Sequence, residues 1–291
     1  MDEQIEPAVV DRQHDVTAAG WLLECQGLSK IYSSARSAAH RQIRALSDVT
    51  LAVGRGECLG VVGESGSGKT TLANCLAGLH SPSSGTVIYQ GELISTPGIS
   101  LRFPRVRGIQ IVFQDPAASL NPRRTVGSVL GEIIQVHSLR PRDQVADRVS
   151  ELLSFVGLDS ELAGRRPRRL SGGQQQRVAI ARALAFEPKL VIADEIVSAL
   201  DASVQAQILN LLADLREQLG LSIILVTHDM SVARHLCDHI IVMRSGEVVE
   251  QGPADQVLQS PSHPYTQELL RAVPRLEAAA TGPGPPEALR G

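Results

Sequence analysis

The segment from Gly63 to Thr71 constrains this chain more than any other. Gly63-Glu64-Ser65-Gly66-Ser67-Gly68-Lys69-Thr70 fits the pattern G-x-x-x-x-G-K-[ST]. It follows a short apolar run, Glu57 to Val62, and opens a helical pattern from Lys69 to Leu79. That strand–loop–helix setting is what the pattern requires. The glycines let backbone N–H groups turn inward around an anion, and the helix N-terminus adds partial positive charge. Lys69 is placed to reach the β- and γ-phosphates of a nucleotide, and Thr70 to ligate Mg²⁺.

The rest of the chain says what surrounds the loop. Apolar runs at Ile109–Phe113, Leu190–Ala193 and Ile223–Thr227 predict buried strands. Strand patterns also begin at Trp21 and cover Ile43–Val53, and Ile240–Met243 with Val248–Gln251 predict a closing hairpin. Helical periodicity covers 126–160, Gln174–Phe186 and Val204–Leu219, the last with Ile208, Leu211, Leu212 and Leu215 on one face. Strands that alternate with helices and are apolar throughout predict an α/β fold with a mostly parallel sheet covered on both faces. The helical stretch around 115–180 interrupts that alternation and predicts a separate lobe.

Composition narrows the class. The 291 residues carry a net charge of −3, and no acidic or basic tail stands out. This does not suit a bulk electrostatic nucleic-acid binder. The run Arg165-Arg166-Pro167-Arg168-Arg169 reads as a solvated loop with one or two arginines on a partner subunit. No apolar stretch is long enough to cross a bilayer, and the acidic N-terminus has no signal-like core. Cys25, Cys58, Cys75 and Cys237 lack metal-ligand spacing and read as buried thiols of a reducing cytosol. Residues 1–20 and 275–291 are expected to be flexible, the latter because it is Pro/Gly-rich.

Leu190-Val191-Ile192-Ala193-Asp194-Glu195 is an apolar strand ending in two carboxylates. Parallel sheets gather such strand ends beside the phosphate loop. Asp194 is then a candidate Mg²⁺ ligand, and Glu195 a general base or water-orienting group. Adjacent acids at a strand end also serve as helix caps, and the upstream loop is what favours chemistry.

Leu170-Ser171-Gly172-Gly173-Gln174 makes a second turn of backbone N–H groups before a helix. With the following Gln175–Leu184, it resembles the signature sequence of ABC ATPases. The resemblance spans about Leu22 to Pro274 and implies a phosphate-loop NTPase core, an antiparallel β subdomain and a helical lobe. It implies ATP and Mg²⁺ as ligands, held by Gly63 to Thr71. In the family, the signature of one subunit closes on the ATP of another. Gln114 then resembles the glutamine that senses the γ-phosphate and Mg²⁺. Ser198-Ala199-Leu200-Asp201 resembles the loop that crosses the dimer interface, His228 the switch histidine, and Tyr32 the aromatic that stacks on adenine. Ile196 stands where the family often has proline.

Two stretches narrow the resemblance to importers of di- and oligopeptides and of nickel. They are Phe113–Arg123 and Ser260-Pro261-Ser262-His263-Pro264-Tyr265-Thr266 to Leu270, within a C-terminal segment of about 252–274. The resemblance implies a second ATPase subunit, two transmembrane permease subunits and an extracytoplasmic solute-binding protein. It places the chain on the cytoplasmic face of the membrane. The alternative is a soluble ABC ATPase acting on ribosomes or DNA. Such proteins carry tandem domains or a long coiled-coil insertion, and this chain has one set of motifs.

Overall fold

The computed structural model describes residues 20–33, 42–100 and 107–272. Most of the N-terminal segment read as flexible, the loop beyond Ser33, and the tail 275–291 lie outside the described residues. In chain order the strands are β1 (Leu23–Ser33), β2 (Gln42–Val53), β3 (Cys58–Val62), β4 (Ser84–Tyr89), β5 (Glu92–Thr96) and β6 (Ile99–Ser100). They continue as β7 (Ile109–Val112), β8 (Leu190–Asp194), β9 (Ser222–Thr227), β10 (His239–Arg244) and β11 (Glu247–Pro253). The helices are α1 (Lys69–Leu76), α2 (Pro116–Ser119), α3 (Val126–Val136), α4 (Val145–Phe155) and α5 (Gly172–Leu184). After them come α6 (Ala202–Leu219), α7 (Met230–Leu236), α8 (Ala254–Gln259) and α9 (Pro264–Ala272).

The central sheet has the order β11-β10-β3-β9-β8-β7. From β10 to β7 every pair is parallel, and β11 folds back antiparallel on the edge. All residues of β3, β8 and β9 are buried. Their continuous apolar character follows, because both faces of a parallel sheet are covered. On β3, Cys58 and Val62 join the core on the helical-lobe side, while Leu59 and Val61 join the core under α1. Successive side chains of one strand thus feed two cores.

The second sheet is antiparallel, in the order β2-β1-β4-β5-β6. Strands β4 to β6 were not among the sequence expectations. Leu93 and Ile99 point to solvent and blur the alternation. The cue that was present is Gln90-Gly91, where both φ angles are positive (53° and 80°) and a tight turn joins β4 to β5.

Several helix boundaries differ from the sequence reading. Helix α1 stops at Leu76 rather than Leu79, because the amides of Gly78 and Leu79 turn back to the carbonyls of Cys75 and Asn74. The stretch 126–160 is broken between α3 and α4, where Ser138 is left-handed (φ 52°) and Pro141 cannot continue a helix. Helix α5 starts at Gly172, before Gln174, because Ser171 caps it. The lobe is held by Leu130, Ile134, Leu152, Leu153 and Val178, all fully buried. Its surface pairs, such as Arg124–Glu132 and Arg148–Glu151, are partly exposed and contribute little.

The four cysteines are free and buried. Burial pushes the Cys25 thiol up to about 12 and the Cys75 thiol to about 11, so both remain unreactive. Among the described residues, no helix is long and apolar enough to cross a membrane.

Candidate functional site

The C-terminal ends of β3, β8 and β9 lie side by side, so the residues that follow them converge. The loop Gly63–Gly68 leaves β3 and enters α1. Its glycines are required by space. A Cβ on Gly63 would lie 2.3 Å from the Met243 carbonyl, and one on Gly68 (φ 106°) 2.6 Å from the Ala45 carbonyl. No side chain fits at either place, so the loop can pack close to its neighbours only with glycine there.

Lys69 is 4% exposed and lies back on its own loop. Its ammonium donates to the carbonyls of Gly63 at 2.7 Å and Glu64 at 2.8 Å. Glu195 Oε1 stands 3.9 Å away. Burial lowers the Lys69 pKa from its ordinary value, while the charges of Glu195, Asp194 and Glu64 act the other way. Thr70 Oγ1 donates to Asp194 Oδ1 at 3.3 Å. Burial raises the Asp194 pKa above the ordinary carboxylate value, against the pull of the Thr70 hydrogen bond. A buried carboxylate in that condition favours a bound cation or proton.

Glu195 sits in the left-handed region (φ 50°), where a non-glycine residue is uncommon. Its N–H donates to the Val226 carbonyl at 3.0 Å, which ties it to β9. Its carbonyl accepts from Ser198 Oγ at 2.9 Å. Ile196 is packed into the core at 2% exposure, which fixes the turn by burial where a proline ring is absent. His228 Nδ1 is 3.7 Å from Glu195 Oε1, with a half-exposed ring. Gln114 Nε2 donates to Ser198 Oγ at 3.1 Å.

A cavity of about 400 Å³ opens over Lys69, Thr70, Gln114 and Glu195 of this cluster, while Asp194 and His228 do not line it. Ser65, Gly66, Gly68, Lys69, Thr70, Thr71, Gln114 and Glu195 form one wall. Ile43, Arg44, Ala45, Ser245 and Gly246 form the other. This second wall was not foreseen. It comes from β2 and from the β10–β11 turn, whose Gly246 N–H donates to the Ser67 carbonyl at 2.8 Å. A cue existed, since β10 is the strand paired with β3 and its end must lie near the loop.

The donor set fits a nucleotide with Mg²⁺. The Lys69 ammonium, once it leaves its loop carbonyls, and the loop amides can face phosphate oxygens, and a hydroxyl paired with a buried carboxylate can face a hard cation. Neighbouring Glu195 and His228 can hold a water or a proton.

The structure does not bring every expected residue to this cavity. Ser171 to Gln174 do not line it. There, Ser171 Oγ accepts from the Gln174 N–H at 3.3 Å and Gln174 Oε1 accepts from the Ser171 N–H at 3.0 Å, a reciprocal cap on α5. Asp201 caps α6, accepting from the Val204 N–H at 2.9 Å. Tyr32 is not a lining residue either, although its cross-strand partner Ile43 is. Its hydroxyl meets His80 Nδ1 at 2.9 Å, and the Lys30 ammonium lies 5.1 Å from its ring centre.

A family model described as ABC transporter matches residues 46–198. A second, described as the C-terminal region of oligopeptide/dipeptide transporters, matches 249–289. The dipeptide transport ATP-binding protein DppF of Haemophilus influenzae is 43% identical over 257 residues, 88% of this chain and 79% of that protein. DppF of Escherichia coli is 44% identical, with 88% and 77% covered. The oligopeptide transport ATP-binding protein OppD of Mycobacterium tuberculosis is 44% identical over 91% of this chain, which spans 44% of that longer protein. Among solved structures, CbiO1 of Clostridium perfringens, part of the ABC transporter complex cbiONQ, superposes with a TM-score of 0.69 at 30% identity. That match covers 82% of this chain and 90% of the other. The dimeric ATP-binding cassette MJ0796, in a post-hydrolysis state with ADP and Pi, gives 0.67 at 31% identity, covering 80% and 98%. With the phosphate loop, the paired carboxylates and the signature turn in one fold, this chain belongs to the ABC transporter family and is an ATP-binding, ATP-hydrolysing member of it.

Proposed function

We propose that this chain energises an importer of di- or oligopeptides from the cytoplasmic face of a membrane, pairing with a second ATPase subunit and two permease subunits. An extracytoplasmic solute-binding protein would present the cargo to the permease. The observation that carries the cargo class is the C-terminal match over 249–289, joined to the cleft in one chain. DppF relatives named for dipeptide transport support the same reading.

In this reading Lys69 leaves the Gly63 and Glu64 carbonyls and pairs with the β- and γ-phosphates. The backbone N–H groups of Gly66 to Thr71 hold the remaining phosphate oxygens. Thr70, Asp194 and Gln114 would hold Mg²⁺, which when bound neutralises phosphate charge. Glu195 orients the attacking water and accepts its proton, with its backbone held by the β9 contact and its carboxylate 3.9 Å from Lys69. His228 senses the γ-phosphate end from across Glu195. Ser171, Gly172, Gly173 and Gln174 of one chain, with Asp201 beside them, close the cleft of the other. Tyr32 approaches the adenine at the cleft's edge.

Coupling to the membrane uses a groove of about 180 Å³. Its lining includes Leu79, Phe113, Ser119, Arg182 and Phe186, with Leu79 and Phe113 exposed. Phe113 adjoins Gln114, so closure of the nucleotide cleft moves this groove and the permease segment seated in it. The decisive experiment is affinity capture from gently solubilised native membranes. Recovery of two polytopic membrane proteins, a second ATPase and a solute-binding protein is expected. Recovery of ribosomal or DNA-repair proteins without a polytopic subunit would overturn the transporter reading.

A further inference from the structure

We infer that Tyr265 is a positioning residue for the phosphate loop, fastening the C-terminal helix α9 to the nucleotide cleft. The inference rests on the cleft binding ATP, as proposed above.

The Glu64 N–H donates to the Tyr265 hydroxyl at 3.3 Å. The carbonyl of that same peptide unit, Gly63 O, accepts from the Lys69 ammonium at 2.7 Å. Two side chains therefore hold the Gly63–Glu64 peptide, one at each polar end. Lys69 is the one that must leave when it turns to phosphates. Tyr265 then remains as the side chain that keeps the peptide in its turn. Its hydroxyl suits that task. The residue is 3% exposed, and burial raises its pKa above the ordinary phenol value, so it stays neutral and able to accept.

The helix that carries it is anchored for the purpose. Glu250 on β11 accepts from the N–H groups of Ser262 at 2.7 Å and His263 at 3.2 Å, and from Ser262 Oγ at 2.8 Å. His263 Nδ1 accepts from the Tyr265 N–H at 3.2 Å. On its other side the ring lies under the Arg244 guanidinium, 4.7 Å from its centre. Arg244 leads directly into Ser245 and Gly246, which line the cavity. The segment Ser262–Tyr265 thus links the matched C-terminal region to both walls of the cleft.

The test is Tyr265→Phe, which removes the hydroxyl and keeps the ring, read by two measurements on the full chain. The first is amide hydrogen exchange at Glu64 without nucleotide. The second is the split between KM for ATP and kcat in the assembled complex, with trinitrophenyl-ATP binding beside it. The expected result is faster exchange at Glu64 and a roughly three- to tenfold higher KM, the range of one lost neutral hydrogen bond, with kcat nearly unchanged. The melting temperature should stay near wild type. Tyr265→Leu, which also loses the ring under Arg244, should lower it and serves as the structural control. Unchanged exchange, or faster exchange with an unchanged KM, overturns the inference. If the wild-type chain fails to bind trinitrophenyl-ATP, the ATP reading of the cleft fails instead, and the inference falls with it.

Discussion

The two glycine-rich turns that open helices α1 and α5 are built in opposite ways. At the phosphate loop, polar groups are held in reserve. Lys69 rests on two carbonyls of its own loop, and Asp194 has little beyond a 3.3 Å contact from Thr70. Burial works against the charge of both. At the signature turn, Ser171 and Gln174 cap one another reciprocally, and neither lines the cavity over the phosphate loop. The first region bears a cost that a ligand relieves. The second is a stable surface, ready to be presented. One chain therefore holds an open pocket and a separate capped turn, which gives the proposed pairing of two ATPase subunits a physical basis.

The largest expected effect that sharpens this contrast is on chemistry in the cleft. Glu195→Gln should cut phosphate release in the assembled complex by orders of magnitude while equilibrium binding still detects ATP. Near-normal turnover would remove Glu195 from its role.

Next comes damage to the capped turn. A Cβ on Gly173 would lie 2.6 Å from Val204 Cγ1, so Gly173→Val must displace the Val204 side chain or the α5–α6 contact. Turnover should fall roughly a hundredfold, the scale for losing preorganised donors. Nucleotide binding by the isolated chain should be unchanged, because Gly173 does not line the cavity. Weaker binding by the isolated chain would mean that the two turns are not independent.

Smaller is the effect of Ser171→Ala on stability. It removes an N-cap worth about 1 kcal/mol and should lower the midpoint of denaturant unfolding accordingly. Smallest, and opposite in sign, is Asp194→Asn. The folded pKa of Asp194 is raised above its ordinary 3.8, so the folded state binds the proton more tightly than the unfolded one. Stability is lost as pH rises from about 3.8 through the folded pKa. The neutral amide should therefore stabilise the nucleotide-free chain at neutral pH, and the gain should vanish in acid. A melting series across pH checks this, and an equal destabilisation at all pH values would contradict it.

How much of this was legible in the sequence follows the same physical division. Strands β3, β8 and β9 could be read directly, since burial on both faces leaves uninterrupted apolar runs. The acids and glycines of the cleft were legible because they follow such strands at fixed spacing. Strands β4 to β6 were missed, because one face meets solvent and Leu93 and Ile99 break the pattern. Ile43, Arg44 and Ser245 in the opposite wall carry no motif, and only the packing of two sheets brings them to the cavity. Tyr265 lies in the Ser260–Leu270 stretch, which the sequence marks only by its resemblance to peptide importers, and its contact with Glu64 spans 201 residues of chain. No local pattern encodes a contact of that range.

With a second copy of this chain as the second ATPase subunit, the most direct measurement mixes two inactive variants, Glu195→Gln and Gly173→Val, and follows phosphate release with light scattering on the same samples. In a mixed dimer, the intact cleft of the Gly173→Val chain meets the intact signature turn of the Glu195→Gln chain. Recovery of turnover on mixing, absent from either variant alone, is the expected result. Mixed dimers that form and yet recover nothing would show that the pocket of one chain and the capped turn of the other do not serve each other across the interface.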